Sequence, residues 1–264
     1  MNILEQIKQH KLAEVESKKS LYPVKFLEQS PYFNSDCVSM KKYIRDPNRS
    51  GIIAEFKRKS PSKGDINKYA NVQEVTLGYM QAGAAALSVL TDEHFFGAKK
   101  GDLQTARKFN YCPILRKDFI VDEYQIIEAK SMGADVILLI AKMLSTAEIK
   151  SFSEVAKSLG LEVFLEFHNE LEIQEKASAN FDLAGINNRN LNSFEVDIEN
   201  SIRLANTLPK DTLRIAESGI ESAAIIQLLK ENGFNGFLIG EYFMRNSHPA
   251  DKCKEFIKEI SYAY

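Results

Sequence analysis

Residues 122–167 read DEYQIIEAKSMGADVILLIAKMLSTAEIKSFSEVAKSLGLEVFLEF, one alternation met twice over. Asp122 suits the N-cap of a helix over EYQIIEAKSM, and Gly133 stands where a left-handed residue closes such a helix. ADVILLIA (134–141) follows, apolar through its middle, as a strand covered on both faces must be. Ser145 then opens STAEIKSFSEVAKSLG with Glu148 three residues on, the spacing of a capping box. LEVFLEF (161–167) reads as the next strand. Helix and strand in alternation predict parallel strands joined by helical crossovers.

Working outward, GIIAEF (51–56), AAALSVL (84–90), PILR (113–116), FDLAGIN (181–187), TLRIA (212–216) and GFLIG (236–240) bring the strands to eight. Val72–Met80, Ser222–Lys230 and Ala250–Ile260 carry the helical period between them. Eight such units suit an α/β fold of the (β/α)8 TIM barrel type. The rival, a doubly wound open sheet, fits less well, because the chain holds no Gly-x-Gly. No Gly/Ser linker divides the chain. Residues 1–48 look helical over 3–18 and around 37–45, with Pro23, Pro31 and Pro47 as punctuation. The expectation is a single barrel domain over 1–264, with residues 1–48 as an N-terminal helical extension packed on it.

Composition narrows the function classes. The chain has 264 residues, 44% hydrophobic and 27% charged, which is globular rather than disordered. Its 34 Lys and Arg against 36 Asp and Glu give a formal net charge of −2, so no nucleic-acid partner is expected. The longest apolar run, Val136–Ala141, falls far short of the roughly 18 residues of a membrane span, so no membrane partner is expected either. The N-terminal MNILEQIKQHKLAEVESKK is too charged for a signal peptide, and Cys37, Cys112 and Cys253 are scattered. Both features point to a reducing cytoplasm without disulfides.

In a barrel of this kind the active site lies at the C-terminal strand ends. The polar residues there are Glu55, Lys57 and Ser60, then Thr91, Asp92 and Glu93, then Lys117 and Asp118, then Lys142. Around the other half come Glu166, Asn187, Arg189, Glu217, Ser218, Gly219, Gly240 and Glu241. Alternation along a strand puts Glu55 with Lys57, and Asn187 with Arg189. Glu166 sits in the apolar run VFLEF, where a carboxylate is either paired or functional. Taken singly, each charge could be a salt-bridged residue of the barrel rim. Taken together, converging on one rim, they make a site. AESGI (216–220) and FLIGEYFMR (237–245) fit a phosphate cradle after the last two strands, where Gly219 and Gly240 would let backbone N–H groups approach an anion. Tight turns alone would also call for those glycines.

Other chemistries find less support. There is no GxGxxG or P-loop pattern, and His10, His94, His168 and His248 show no metal-ligand spacing. His168 reads as a surface-loop histidine, and Cys112 as a buried small hydrophobe. The basic run KRKSPSKG (57–64) lacks the interleaved aromatics of a nucleic-acid patch and reads as a loop facing phosphate or carboxylate. The apolar stripe of MNILEQIKQHKLAEV reads as a helix packed on its own protein.

IIAEFKRKSPSKG, LSVLTDEHFFGA, PILRKDFIVDEYQI, GADVILLIA, GINNRNL, AESGI and FLIGEYFMR together closely resemble indole-3-glycerol phosphate synthase, in that family's order and spacing, from about residue 3 to 258. The resemblance implies a (β/α)8 barrel with an N-terminal helical extension and no metal or organic cofactor. It implies closure of the pyrrole ring of indole in tryptophan biosynthesis. The substrate would be 1-(2-carboxyphenylamino)-1-deoxyribulose 5-phosphate, with carbon dioxide and water lost. On the same ground Lys117 is the general acid and Glu166 the base, while Glu55 and Lys57 orient and help protonate the substrate. Asn187 and Ser218 support the reacting centre. Ser60, Arg189, Gly219 and Gly240 fall in the phosphate and anion surroundings, and Phe96 and Phe119 look like walls for the aromatic ring; Glu241, beside Gly240 after the last strand, is expected to bind substrate with them. Two departures stand out: Asn190 replaces the usual acidic residue, and EYFMR stands where small residues often follow the glycine. A monomer is expected, with other tryptophan-pathway enzymes as the partners to consider.

Physical chemistry fits this expectation. Ring closure needs a proton on the ketone oxygen, which a lysine can give, the more readily if burial near other cations lowers its pKa. Dehydration needs an acid and a base on different strands. Lys57 or Lys117 should keep Glu166 ionised. Two rivals remain at this stage. Phosphoribosylanthranilate isomerase and the tryptophan synthase α subunit lack the KRKSPSKG and KDFIV blocks. An inactive barrel serving as a scaffold should have lost one of Glu55, Lys57, Lys117 or Glu166, and none is lost.

Overall fold

Eight parallel strands close on themselves in chain order. They are β1 (Ile52–Phe56), β2 (Ala86–Leu90), β3 (Ile114–Lys117), β4 (Val136–Ile140), β5 (Glu162–Phe167), β6 (Leu183–Asn187), β7 (Leu213–Glu217) and β8 (Gly236–Ile239). The computed structural model describes residues 3–189 and 195–262, so Asn190 lies outside the described residues. β1 completes the circle, with Ile53 opposite Leu238 of β8 on one side and Ala86 of β2 on the other. The predicted TIM barrel is therefore the observed fold.

Each predicted run forms a strand, and two of them reach further than expected. PILR extends to Lys117, and TLRIA extends to Glu217. Both side chains therefore leave from hydrogen-bonded strand rather than from loop, which fixes their direction. A short antiparallel ribbon, Lys59–Ser60 with Gly64–Asp65, follows β1.

The helices are α1 (Ile3–Leu21), α2 (Val24–Leu27), α3 (Met40–Arg45), α4 (Val72–Gln81), α5 (Glu93–Phe96), α6 (Asp102–Phe109) and α7 (Glu123–Met132). Beyond them come α8 (Thr146–Ser158), α9 (Glu170–Lys176), α10 (Ile198–Ala205), α11 (Ala223–Glu231), α12 (Glu241–Met244) and α13 (Pro249–Tyr262). Their boundaries follow local chemistry. Asp122 caps α7 by accepting from Tyr124 N, and Gly133 ends it at φ 87°. Ser145 and Glu148 form the capping box of α8. No helix among the described residues is long and apolar enough to cross a membrane.

The barrel strands are nearly all buried, and Ile, Val, Leu and Phe fill the core. Gly185 has an interior role: a Cβ there would strike the Phe164 ring and Oε1 of Glu217. Its bare backbone makes room for both side chains. The N-terminal stripe packs on the protein as predicted, through Ile7 and Val15. The surprise on that face is Lys11, whose side chain is fully buried. Its ammonium lies 2.9 Å from both Asp92 Oδ2 and Asp118 Oδ1, so the contact between α1 and the barrel is ionic as well as apolar.

Candidate active site

The mouth at the C-terminal strand ends opens into a cavity. Glu55 enters it from β1, Lys57 and Ser60 after β1, and Phe96 after β2. Lys117 and Phe119 come from β3, Glu166 from β5, and Asn187 and Arg189 from β6. Ser218 and Gly219 follow β7, and Gly240 and Glu241 follow β8. Thus every residue singled out from the sequence as catalytic or substrate-binding borders this cavity. Lys142 is exposed, and Thr91, Asp92 and Glu93 are not among the lining residues. Thr91 instead donates to Asp118 Oδ2 at 2.6 Å, and Asp92 caps α5.

Lys117 is the hub. Its Nζ donates to Glu166 Oε2 at 3.2 Å and, more closely, to Glu217 Oε2. Burial opposes its charge and is the largest single effect, but Glu166, Glu217 and Glu55 outweigh it and raise the pKa well above that of a free lysine. This corrects the expectation of a lysine lowered by neighbouring cations, since its neighbours are carboxylates. Lys57 pairs with Glu55 Oε1 at 2.6 Å, the residue that strand alternation puts on its side. Of the two lysines, Lys117 is the one in contact with Glu166.

Glu166 is buried with three partners. Asn187 Nδ2 donates to its Oε1 at 2.9 Å, and Lys117 holds Oε2. His168 Nε2 lies 3.0 Å from Oε1 as an ion-pair contact rather than an aligned hydrogen bond. Burial pushes the carboxyl pKa up, yet Lys117, His168 and Asn187 together pull it below the usual carboxylate range. Glu166 is therefore ionised, as expected. The reading of His168 as a surface-loop histidine is wrong, because its side chain is only 7% exposed. One residue past a strand the chain can still turn inward, and a buried carboxylate gives it reason to.

Sequence reasoning placed Glu217 at a strand end but gave it no role. It is buried and borders the cavity, with no hydrogen-bond partner for Oε1 among the described residues. Burial, reinforced by Glu166, pushes its carboxyl up to about 7 despite the Lys117 contact. The signal was present: AESG has a lone carboxylate at the end of a strand run, as FLEF does. Also missed were Ile3, Leu4 and Ile7 of α1, which give the cavity an apolar side. Phe96 and Phe119 stand together, with ring centres 5.8 Å apart.

The polar side of the mouth carries the anion candidates. Arg189 reaches Glu241 at 3.4 Å, and its backbone N–H donates to Asn187 Oδ1 at 3.0 Å. Ser218 holds a left-handed φ of 71°, uncommon for a side-chain-bearing residue, and its carbonyl accepts from Asn188 Nδ2 at 2.7 Å. Of the run KRKSPSKG, Lys57, Ser60, Pro61 and Ser62 reach the cavity. Arg58 does not, being buried and paired with Asp102. Among the described residues no group of three or more His, Cys, Asp or Glu is placed to hold a metal ion.

Comparison with known proteins bears on what this arrangement does. The family model for indole-3-glycerol phosphate synthase matches residues 4–256. The indole-3-glycerol phosphate synthase of Bacteroides thetaiotaomicron is 45% identical over 259 residues, covering 98% of this chain and 99% of its own length. That of Caldanaerobacter subterraneus subsp. tengcongensis is 39% identical, with 98% of each chain covered. Among solved structures, a mutant tryptophan synthase α-subunit from Pyrococcus furiosus superposes with a TM-score of 0.59 at 13% identity, over 81% of this chain and 98% of that one. This last likeness concerns the fold alone. By family match and by near full-length identity, the chain belongs to the indole-3-glycerol phosphate synthase family, enzymes of tryptophan biosynthesis that close the indole ring with loss of carbon dioxide.

Proposed function

We propose that the family reaction runs in the cavity described above, with Lys117 as general acid and Glu166 as base. The observation that supports this best is one ammonium held between two buried carboxylates, Glu166 and Glu217, on a cavity that has an apolar side and also carries Lys57 and Arg189, each paired with a glutamate. The substrate's phenyl ring would lie against Phe96, Phe119 and the α1 side chains. Its phosphate would lie toward Ser60, Arg189, Gly219 and Gly240. Glu241 is held by Arg189 there and would set the position of that guanidinium.

In the ring-closing step the aromatic carbon that carries the carboxylate bonds to the ketone carbon. The ketone oxygen takes a proton from Lys117 and becomes a hydroxyl. Loss of carbon dioxide returns its bonding pair to the ring and restores aromaticity. Dehydration then removes that hydroxyl as water, with Glu166 accepting the proton lost from the new ring. Lys57, steered by Glu55, is the second cation for the departing oxygen, and Asn187 and Ser218 hold the reacting centre. Lys117 and Glu166 touch when no ligand separates them. The substrate would enter between them, exchanging a carboxylate partner of Lys117 for a ketone oxygen, which makes the ammonium a stronger acid.

The whole chain reads as one domain with residues 1–48 as its extension, acting as a monomer in the cytoplasm. The three free cysteines suit that compartment. The direct test is to mix the protein with the carboxyphenylamino substrate and follow indole fluorescence. The chain has no Trp, so the background is tyrosine only. No gain of indole emission at any enzyme concentration would refute the assignment.

A further inference from the structure

We infer that His168 is a positioning residue for the Glu166 carboxylate, a role that rests on Glu166 being the base proposed above. The imidazole is wedged between two carboxylates: Nε2 is 3.0 Å from Glu166 Oε1, and Nδ1 is 3.7 Å from Glu172 Oε2. Glu172 is itself fixed. Its Oε2 accepts from the backbone N–H of His168 at 2.8 Å, and its Oε1 from Asn169 Nδ2 at 2.6 Å. Asn169 in turn caps α9 by accepting from the backbone N–H of Glu172. The turn after β5 is therefore tied to itself, and the ring has little freedom to leave.

The consequence falls on Glu166. Asn187 and His168 both hold Oε1, so Oε2 is the oxygen left on the Lys117 side. Without them the carboxylate could rotate and engage Lys117 with both oxygens, tying up acid and base in one ion pair. His168 also supplies a charge that does not depend on Lys117. When Lys117 has given its proton to the substrate, its hold on the Glu166 charge is gone. A cationic His168 keeps the carboxylate ionised through that interval. The ring is suited to this: burial disfavours its charge, but Glu166 and Glu172 outweigh burial and push the pKa up to about 9. The ionisable groups concerned are Glu166 and Glu172 at the ring itself, with Lys117 and Glu217 beyond Glu166 on the facing strands.

The experiment compares His168→Ala and His168→Gln with Glu166→Gln in the full chain, measuring kcat, KM and the pH profile, with histidine 15N NMR on wild type and Glu166→Gln. In His168→Ala, kcat should fall by about 10-fold or more, the scale seen when a group that orients another is removed, with KM within about twofold of wild type. His168→Gln keeps a donor near Nε2 and should recover most of that rate. Its acid limb should lie at higher pH than in wild type, because losing a cation raises the Glu166 pKa. The NMR titration should show His168 still charged at pH 8 in wild type and neutral there in Glu166→Gln. That measurement stands even if the alanine variant does not fold. A folded His168→Ala with wild-type kcat and pH profile overturns the inference. So does a rate loss that Gln does not recover, or a wild-type His168 that titrates at its ordinary value. If Glu166→Gln is itself fully active, the base assignment fails instead, so the two failures are told apart.

Discussion

Glu166 and Glu217 meet the same ammonium, and their environments drive them apart. Glu166 has three partners and stays ionised, whereas Glu217 has one and is pushed up to about 7. Such a split is how one site keeps a base and a proton reservoir together. Glu166→Gln keeps the size and removes the acceptor. It should fold, bind substrate and turn over at least ~10²-fold slower. Lys117→Ala should lose about 10²–10⁴ in kcat and less in substrate affinity. Both are checked by steady-state kinetics on preparations shown to be folded by circular dichroism. A near wild-type kcat in Glu166→Gln would move the base to Glu55 or Glu217. Glu217 also carries a stability signature. Between its ordinary value of 4.5 and about 7 the folded protein holds a proton that the unfolded chain has released. Stability therefore falls as pH rises through that window. Glu217→Gln should lose less stability across pH 4.5–7 than wild type does, as read by denaturant melts at the two ends.

Helix α1 shows how an element outside the barrel becomes part of its site. Ile3, Leu4 and Ile7 border the cavity, and one turn further Lys11 anchors the helix on Asp92 and Asp118. Asp92 caps α5, which bears Phe96. Asp118 lies between Lys117 and Phe119 and also binds Arg116, which continues to Glu128. One lysine thus ties the apolar wall to the aromatic pair and to the strand end that carries the proposed acid. Removing one partner of a buried ion cluster leaves uncompensated charge and costs about 3–5 kcal/mol. Lys11→Met should lose that much stability, expose residues 1–20 to limited proteolysis, and raise KM more than it lowers kcat. Denaturant titration, protease mapping and kinetics check these in turn. An unchanged digestion pattern would show that the apolar contacts alone hold the helix. By contrast, Ser145→Ala removes the α8 capping box at a typical cost of ~1 kcal/mol and should leave kcat untouched.

At the scale of the whole molecule, a chain of net charge −2 places Lys57 and Arg189 on the cavity at the barrel mouth, paired with Glu55 and Glu241. In the reading proposed above, an anionic substrate group would compete with those carboxylates for the two cations. Inorganic phosphate or sulfate should therefore inhibit competitively, and Ser60→Ala should weaken that inhibition without abolishing turnover. Non-competitive inhibition would place the anion elsewhere. The barrel itself was readable from eight apolar runs and their helical partners, because strands covered on both faces must be apolar throughout and helix caps are local chemistry. Much of the rim was readable too, since the strand-end rule and period-two alternation assign a direction to a strand side chain without any knowledge of its neighbours, but Thr91, Asp92, Glu93 and Lys142, beyond the strand ends, do not line the cavity. Pairing was not readable. That Lys117 lies between two carboxylates depends on distances between strands far apart in the chain, and that His168 is buried against Glu166 depends on how the turn after β5 folds inward. The direction of a pKa shift follows from those distances and not from residue type. So the sequence determined the barrel and the strand ends from which its mouth is built, while only the tertiary structure decided which of those residues line the mouth and which charges meet there, because a strand's period fixes where a side chain points and closure of the barrel fixes what it finds.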